Sequence, residues 1–418
     1  MPVRQPRALY CAFALVSLSV AACSASERGK NSPSVQGGSA GGPDTSAASR
    51  VAATTSPDTS TAKSTVPAPP GATNRTVARL NVDSEFSVVR ALYVNRFAAQ
   101  SSKRMKQLIQ IADETEINAL VIDMKDEFGL NYSPSNAEFA KNAGTSGTIK
   151  GLPALLDTLR AHHILPIARL VVFKDSVTAR VHPEWTIRRQ DGSVWRDKKS
   201  LAWVNPYHHE LWDYNIGVSE ELVKMGFGEI QYDYIRFPEP YKSLPTQVFP
   251  DNKGVSKPDV LAAYLKEANS RLDKLGARTT ADIFGLVTTV GGPLEVGQWW
   301  EKISPNVDVV LPMVYPSHYP RGDLGLAVPN AEPYKVLKIS LSKAKERDQK
   351  LGIKTPEHVR PWLQAFTLGK PAYGPAEVEA QKRGAYDAGY DGWVLWNPGS
   401  KYELFLPALE KTLVSRKK

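Results

Sequence analysis

From residue 89 onward the chain alternates two kinds of hydrophobic pattern. Short runs rich in Val, Ile, Leu, Tyr and Trp fall at 89–95, 118–126, 165–173, 229–238, 279–285, 307–316, 359–366 and 391–398. Each has the length and the β-branched or aromatic content of a buried strand. Between several of them the apolar residues recur every three or four positions, as in "LPALLDTLRAHH", "HHELWDYNIGVSEELVKMG" and "PDVLAAYLKEANSRLDKLG". That period marks amphipathic helices, and the Gly, Asn or His near their ends suits helix termini. Eight strands alternating with helices over roughly 325 residues predict a (β/α)8 TIM barrel. A doubly wound sheet is the rival fold. It would need a Gly-rich phosphate turn after an early strand, and "GGP" at 291–293 is only a fragment of one.

The polar residues inside these apolar runs carry the functional signal. In "GEIQYDYIRFP" (228–238), alternation turns Ile230, Tyr232 and Tyr234 outward and sends Gln231 and Asp233 inward, with Arg236 just beyond. Barrel enzymes build their sites at this C-terminal mouth. By the same reading the second strand offers Asp123 and Lys125 inward, with Asp126 and Glu127 in the following loop. The third offers Arg169, the fifth Asp282, the sixth Tyr315 followed by His318, the seventh Gln364, and the eighth Trp396 and Asn397. A buried carboxylate costs several kcal/mol unless paired. Asp123 is read either as a site residue or as the partner of Lys125 or Arg169, and Arg236 as a neutralising partner of Asp233. Adjacent strands lie about 4.8 Å apart, so Asp233, as nucleophile or as base for a water, and Asp282, as acid, are placed for glycoside hydrolysis, with retaining and inverting outcomes both open. Aromatics near strand ends and in loops (among them Trp185, Trp195, Trp203, Trp299, Trp300 and Trp396) could pack or stack on sugar rings.

The rest of the chain sets limits on this picture. It has 418 residues, 42% hydrophobic and 23% charged, enough for one large barrel. Residues 1–22 run from Arg4 and Arg7 through an apolar stretch to small residues, the order of an export signal. The signal ends in "VAAC" (20–23), which resembles a bacterial lipobox and makes Cys23 the expected lipidation point. Residues 23–78 are Ser, Thr, Ala, Gly and Pro, the composition of a disordered tether, leaving 79–418 for the barrel. The expected location is the cell envelope, with the folded part outside the cytoplasm and the membrane reached only through the lipid.

The formal charge is +9, but the basic residues are scattered among acids, which argues against a nucleic-acid partner. The only other cysteine, Cys11, lies within the signal. Of seven histidines only His318 closely follows a strand end, so no metal centre is expected. No cofactor motif and no G-x-S-x-G elbow is present.

Six segments together, "ALYVNRF", "ALVIDMKDEFGLNY", "IQYDYIRFPEP", "ADIFGL", "VLPMVYPSHY" and "GYDGWVLWNPGSKY", resemble the bacterial putative glycosyl hydrolase domain family from Val89 to Tyr402. The resemblance implies a TIM barrel acting on carbohydrate. More distantly, the end of the fourth strand is similar to the nucleophile position of the α-amylase and α-galactosidase clans, a slot that Asp233 fills. Asp282 stands where the amylase clan has a glutamate acid, and Gln364 where it has a further aspartate. Two functions follow as expectations: a glycoside hydrolase, or a non-catalytic carbohydrate-binding barrel. A deacetylase would call for a metal site.

Overall fold

The computed structural model describes residues 82–144 and 146–412. The expected signal, Cys23 and the tether lie outside the described residues. Eight parallel strands form a closed barrel: β1 (Arg90–Val94), β2 (Ala119–Asp126), β3 (Leu165–Val171), β4 (Glu229–Asp233), β5 (Arg278–Phe284), β6 (Val309–Met313), β7 (Trp362–Gln364) and β8 (Trp393–Trp396). Each pairs with the next, and β1 closes the ring by pairing with both β2 and β8. Helices lie between most of them, as the helical period predicts. Ser102–Glu114, for instance, starts where the Ser101 hydroxyl accepts from Arg104 N, and it buries Met105, Leu108, Ile109 and Ala112 along one face.

The period of two within strands separates two cores. Ala91 and Tyr93, Ala119 and Val121, Leu165 and Ile167, Leu311, Trp362 and Val394 share one cluster inside the barrel. Their neighbours Leu92, Leu120, Ile122, Ala168, Ile230, Tyr232 and Leu395 belong to the cluster packed beneath the helices. Val82 and Phe86 join the inner cluster from the N-terminal side. There Arg278 Nη2 donates to both of their carbonyl oxygens at 3.0 Å.

Several strands are shorter than the hydrophobic runs that predict them. The run at 229–238 stops being a strand at Asp233, because Tyr234 takes φ +50°, a left-handed conformation that costs a non-glycine residue roughly 1–3 kcal/mol. In β2 the register against β3 shifts: Asp123 faces Arg169, but Lys125 faces Leu170. This bulge reverses the alternation beyond Asp123. The long segment between β3 and the helix His209–Met225 carries short antiparallel bridges (Thr186 to Val204, Arg188 to Val194, Arg196 to Ala202). A further bridge from Arg188 to Val248 ties it to the loop after β4. Trp195 and Trp203 are buried within it, and Trp300 is buried in its own short helix, so these three pack rather than offer free faces.

Candidate active site

Four charged side chains converge from consecutive strand ends: Asp123 on β2, Arg169 on β3, Asp233 on β4 and Asp282 on β5. The Arg169 guanidinium joins them. Its Nη1 donates to Asp123 Oδ1 at 2.5 Å. Its Nη2 and Nε both donate to Asp233 Oδ2, the latter at 3.1 Å. The same Nε lies 3.8 Å from Asp282 Oδ2. An arginine suits this place because its planar fork can serve several carboxylates and keeps its charge when buried.

Each acid has further partners. Asp123 Oδ2 accepts from the Tyr93 hydroxyl at 2.5 Å. Asp233 Oδ1 accepts from the Tyr234 amide at 2.5 Å, which the left-handed turn at Tyr234 accompanies. Asp282 Oδ1 accepts from Trp362 Nε1 at 2.6 Å and from Gln231 Nε2 at 2.9 Å. Asp282 is 1% exposed, against 4% for Asp123 and 7% for Asp233, so it is the deepest of the three.

Three carboxylates around one guanidinium cannot all ionise cheaply in a low-dielectric pocket. The proton goes where burial is greatest. Burial, and then the charge of Asp233, push the Asp282 carboxyl well above the usual range, against the pull of Arg169, Trp362 and Gln231. Burial also lifts Asp123 to about 6, with Arg169 pulling the other way. That direction favours the protonated form of Asp282, the form a general acid needs, beside the Asp233 side chain that Arg169 holds.

An aromatic wall stands on the β6–β8 side. Tyr315 stacks on Trp396 with centroids 4.9 Å apart, and Phe366 meets the edge of both. His318 lies 5.3 Å from the Tyr315 ring. Burial lowers its pKa to about 4, so it is a neutral imidazole, with Nδ1 3.1 Å from Ser317 Oγ. Such a wall can stack on the apolar face of a sugar.

Five expected site residues do other work. Lys125 does not point into the barrel. The β2 bulge turns it outward, where it pairs with buried Asp175 and donates to Val171 O, both at 2.6 Å. Arg236 does not neutralise Asp233; Arg169 does. Arg236 instead lies 4.8–5.1 Å from the rings of Phe284, Tyr234 and Trp203 and pairs with Glu239 at 3.2 Å. Asp126 is held by both ends of the Arg96 fork, at 2.7 and 2.8 Å, and braces the loop through Phe128 N. Gln364 and Asn397 spend their amides on main-chain groups of the β6, β7 and β8 loops.

Sequence reasoning missed Tyr93 and Trp362, and it gave Gln231 no role. Alternation along "ALYVN" and "PWLQ" puts Tyr93 and Trp362 inside the barrel, so the signal was there. Both were passed over as apolar strand residues, although each carries one hydrogen-bond donor that a buried carboxylate can use. Among the described residues no group of three or more His, Cys, Asp or Glu is arranged to hold a metal ion.

No curated protein matches the chain. Among solved structures, the PgaB (BpsB) glycoside hydrolase domain from Bordetella bronchiseptica superposes with a TM-score of 0.56 at 14% identity. That match covers 77% of this chain and 97% of the other, a likeness of fold. A hypothetical protein from Ruminiclostridium thermocellum ATCC 27405 is 33% identical over 46% of this chain and 96% of its own, with a TM-score of 0.42. The family described as "Putative glycosyl hydrolase domain" matches residues 91–402, from within β1 to the turn after β8, and this chain belongs to that family.

Proposed function

We propose that the barrel hydrolyses glycosidic bonds in a poly- or oligosaccharide, with Asp233 as nucleophile and Asp282 as acid. The observation that carries this reading is the shared guanidinium. Asp233 Oδ2 and Asp282 Oδ2 lie 3.1 and 3.8 Å from one Arg169 nitrogen, so they are within about 7 Å of each other. That limit on one oxygen pair is compatible with the roughly 5–5.5 Å of retaining enzymes. In the first step the Asp282 proton moves to the leaving oxygen as the glycosidic bond breaks, and Asp233 Oδ bonds the anomeric carbon. In the second, water gives a proton back to Asp282 and displaces Asp233 from that carbon. Arg169 holds Asp233 in line, Tyr93 and Arg169 fix Asp123 beside it, and Tyr315 with Trp396 receives the sugar face.

Replacing Asp233 by Asn removes the nucleophile without changing shape. Turnover should fall at least about a thousandfold, as it does when a positioned nucleophile is lost, while the circular dichroism spectrum and glycan binding persist. Turnover equal to wild type would remove Asp233 from the mechanism.

A second reading, glycan binding without turnover, draws on the 1% exposure of Asp282, whose oxygens are already engaged by Trp362 and Gln231. Under it the wild type retains glycans without cleaving any of them.

The order of residues 1–23 supports export and anchoring to the envelope through a lipid on Cys23. A Cys23→Ala chain should lose palmitate labelling and leave the membrane fraction. Equal labelling of the two chains would refute the anchor.

A further inference from the structure

The rim between β3 and β4 carries a cation that hydrolysis does not use. Lys174 follows β3 by three residues and is 5% exposed. Its Nζ stands 4.8 Å from the Tyr234 ring centroid, and among the described residues it has no hydrogen-bond or ion-pair partner. A cation over an aromatic face recovers only part of the cost of burying an ammonium.

The charge is nevertheless kept. Burial works against it, but Tyr234, Glu127 and Asp197 raise the Lys174 pKa above the ordinary lysine value. Two more cations stand beside it. Arg236 lies 4.9 Å from the same Tyr234 ring. Lys199 is near enough that Lys174, after burial, lowers its pKa.

The acids of this rim are mostly committed. Asp197 accepts from Lys199 N, Leu201 N and Trp203 Nε1, and Glu239 pairs with Arg236. Glu127 remains as a more distant counter-charge. Tyr234, whose ring both Lys174 and Arg236 approach, directly follows Asp233 in the chain. Lys174 and Tyr234 both stand just past the C-terminal ends of their strands, on the side of the barrel where a sugar at Asp233 would lie.

We propose that Lys174, flanked by Arg236 and Lys199, seats an anionic substituent of the glycan, so that the substrate class is a uronate-type acidic polysaccharide. This rests on the carbohydrate reading of the same mouth. An ammonium that lacks an anionic partner gains a charge-assisted hydrogen bond when a carboxylate arrives. A hydroxymethyl group in the same place offers only a neutral bond.

The test compares alginate, polygalacturonate and hyaluronan oligosaccharides with the carboxyl-reduced form of each, using the full chain carrying Asp233→Asn so that binding is read without cleavage. At least one acid form should bind about tenfold or more tightly than its reduced counterpart, and the advantage should shrink as salt rises. Lys174→Met should bring that ratio close to one, and Lys174→Arg should keep most of it. Equal binding of acid and reduced forms across all three pairs would overturn the proposal, as would an unchanged ratio in Lys174→Met. The salt dependence of the Asp233→Asn chain needs no second substitution, so it decides even where a lysine variant folds poorly. Wild-type turnover separates the two readings. Cleavage of reduced glycans with no preference for acid forms would sink the anionic seat and leave the hydrolase. Salt-sensitive acid binding without cleavage would sink the hydrolase and leave the seat.

Discussion

Arg169 sets the electrostatics of the mouth, because three acids depend on one positive charge. Asp123 shows the consequence most clearly. Its folded pKa is lifted to about 6, chiefly by burial, from an ordinary value of 3.8. Between about pH 4 and 6 the unfolded chain has lost this proton while the folded chain keeps it. The folded state then binds more protons, so stability falls as pH rises through that window, by up to about 3 kcal/mol for this group. Asp123→Asn should flatten that part of the curve, as followed by urea unfolding from pH 4 to 7. An unchanged slope would show that Asp123 is not the group responsible. The inward acids Asp123, Asp233 and Asp282 were legible in the sequence because a period of two assigns them to one face. The donor that neutralises Asp233 was not legible. Arg236 is three residues away and Arg169 sixty-four, and only the closed ring brings the more distant one near.

At the scale of elements, the departures from expectation come from places where regular geometry breaks. The β2 bulge turns Lys125 to the helix side, where it meets Asp175, the residue whose side chain caps the helix Ser176–Val181. Both side chains are fully buried. Lys125→Met leaves an uncompensated charge there and should cost about 3–5 kcal/mol in urea unfolding. The same variant should keep the kcat of wild type per folded molecule, since Lys125 does not face the mouth. A loss below about 1 kcal/mol would mean that this pair contributes little. A bulge cannot be read from alternation, because inserting one residue leaves the hydrophobic run intact. The early end of β4 was hidden for a similar reason. "YIRFP" continues the apolar composition of a strand, yet Tyr234 turns left-handed just where the Asp233 carboxylate takes its amide.

For the whole molecule, the alternation of strands and helices was enough to give the closed barrel, and residues 91–402 match one family throughout. Buried charge was the less reliable guide. Polar residues late in the strands meet at the mouth, but the barrel also buries charge where strands begin. Glu229, at the start of β4, is 0% exposed and pairs with Arg360 at 2.7 and 3.2 Å. Position along the strand, rather than polarity, distinguishes that pair from the cluster around Arg169. In the proposed mechanism Asp233 bonds the sugar while Asp282 protonates the leaving group. A fluorinated glycoside that stalls the second step, followed by mass spectrometry of the digested protein, tests it most directly. One sugar should be found attached to the peptide containing Asp233, and none in Asp233→Asn. Steady cleavage with inverted product and no sugar on that peptide would contradict it.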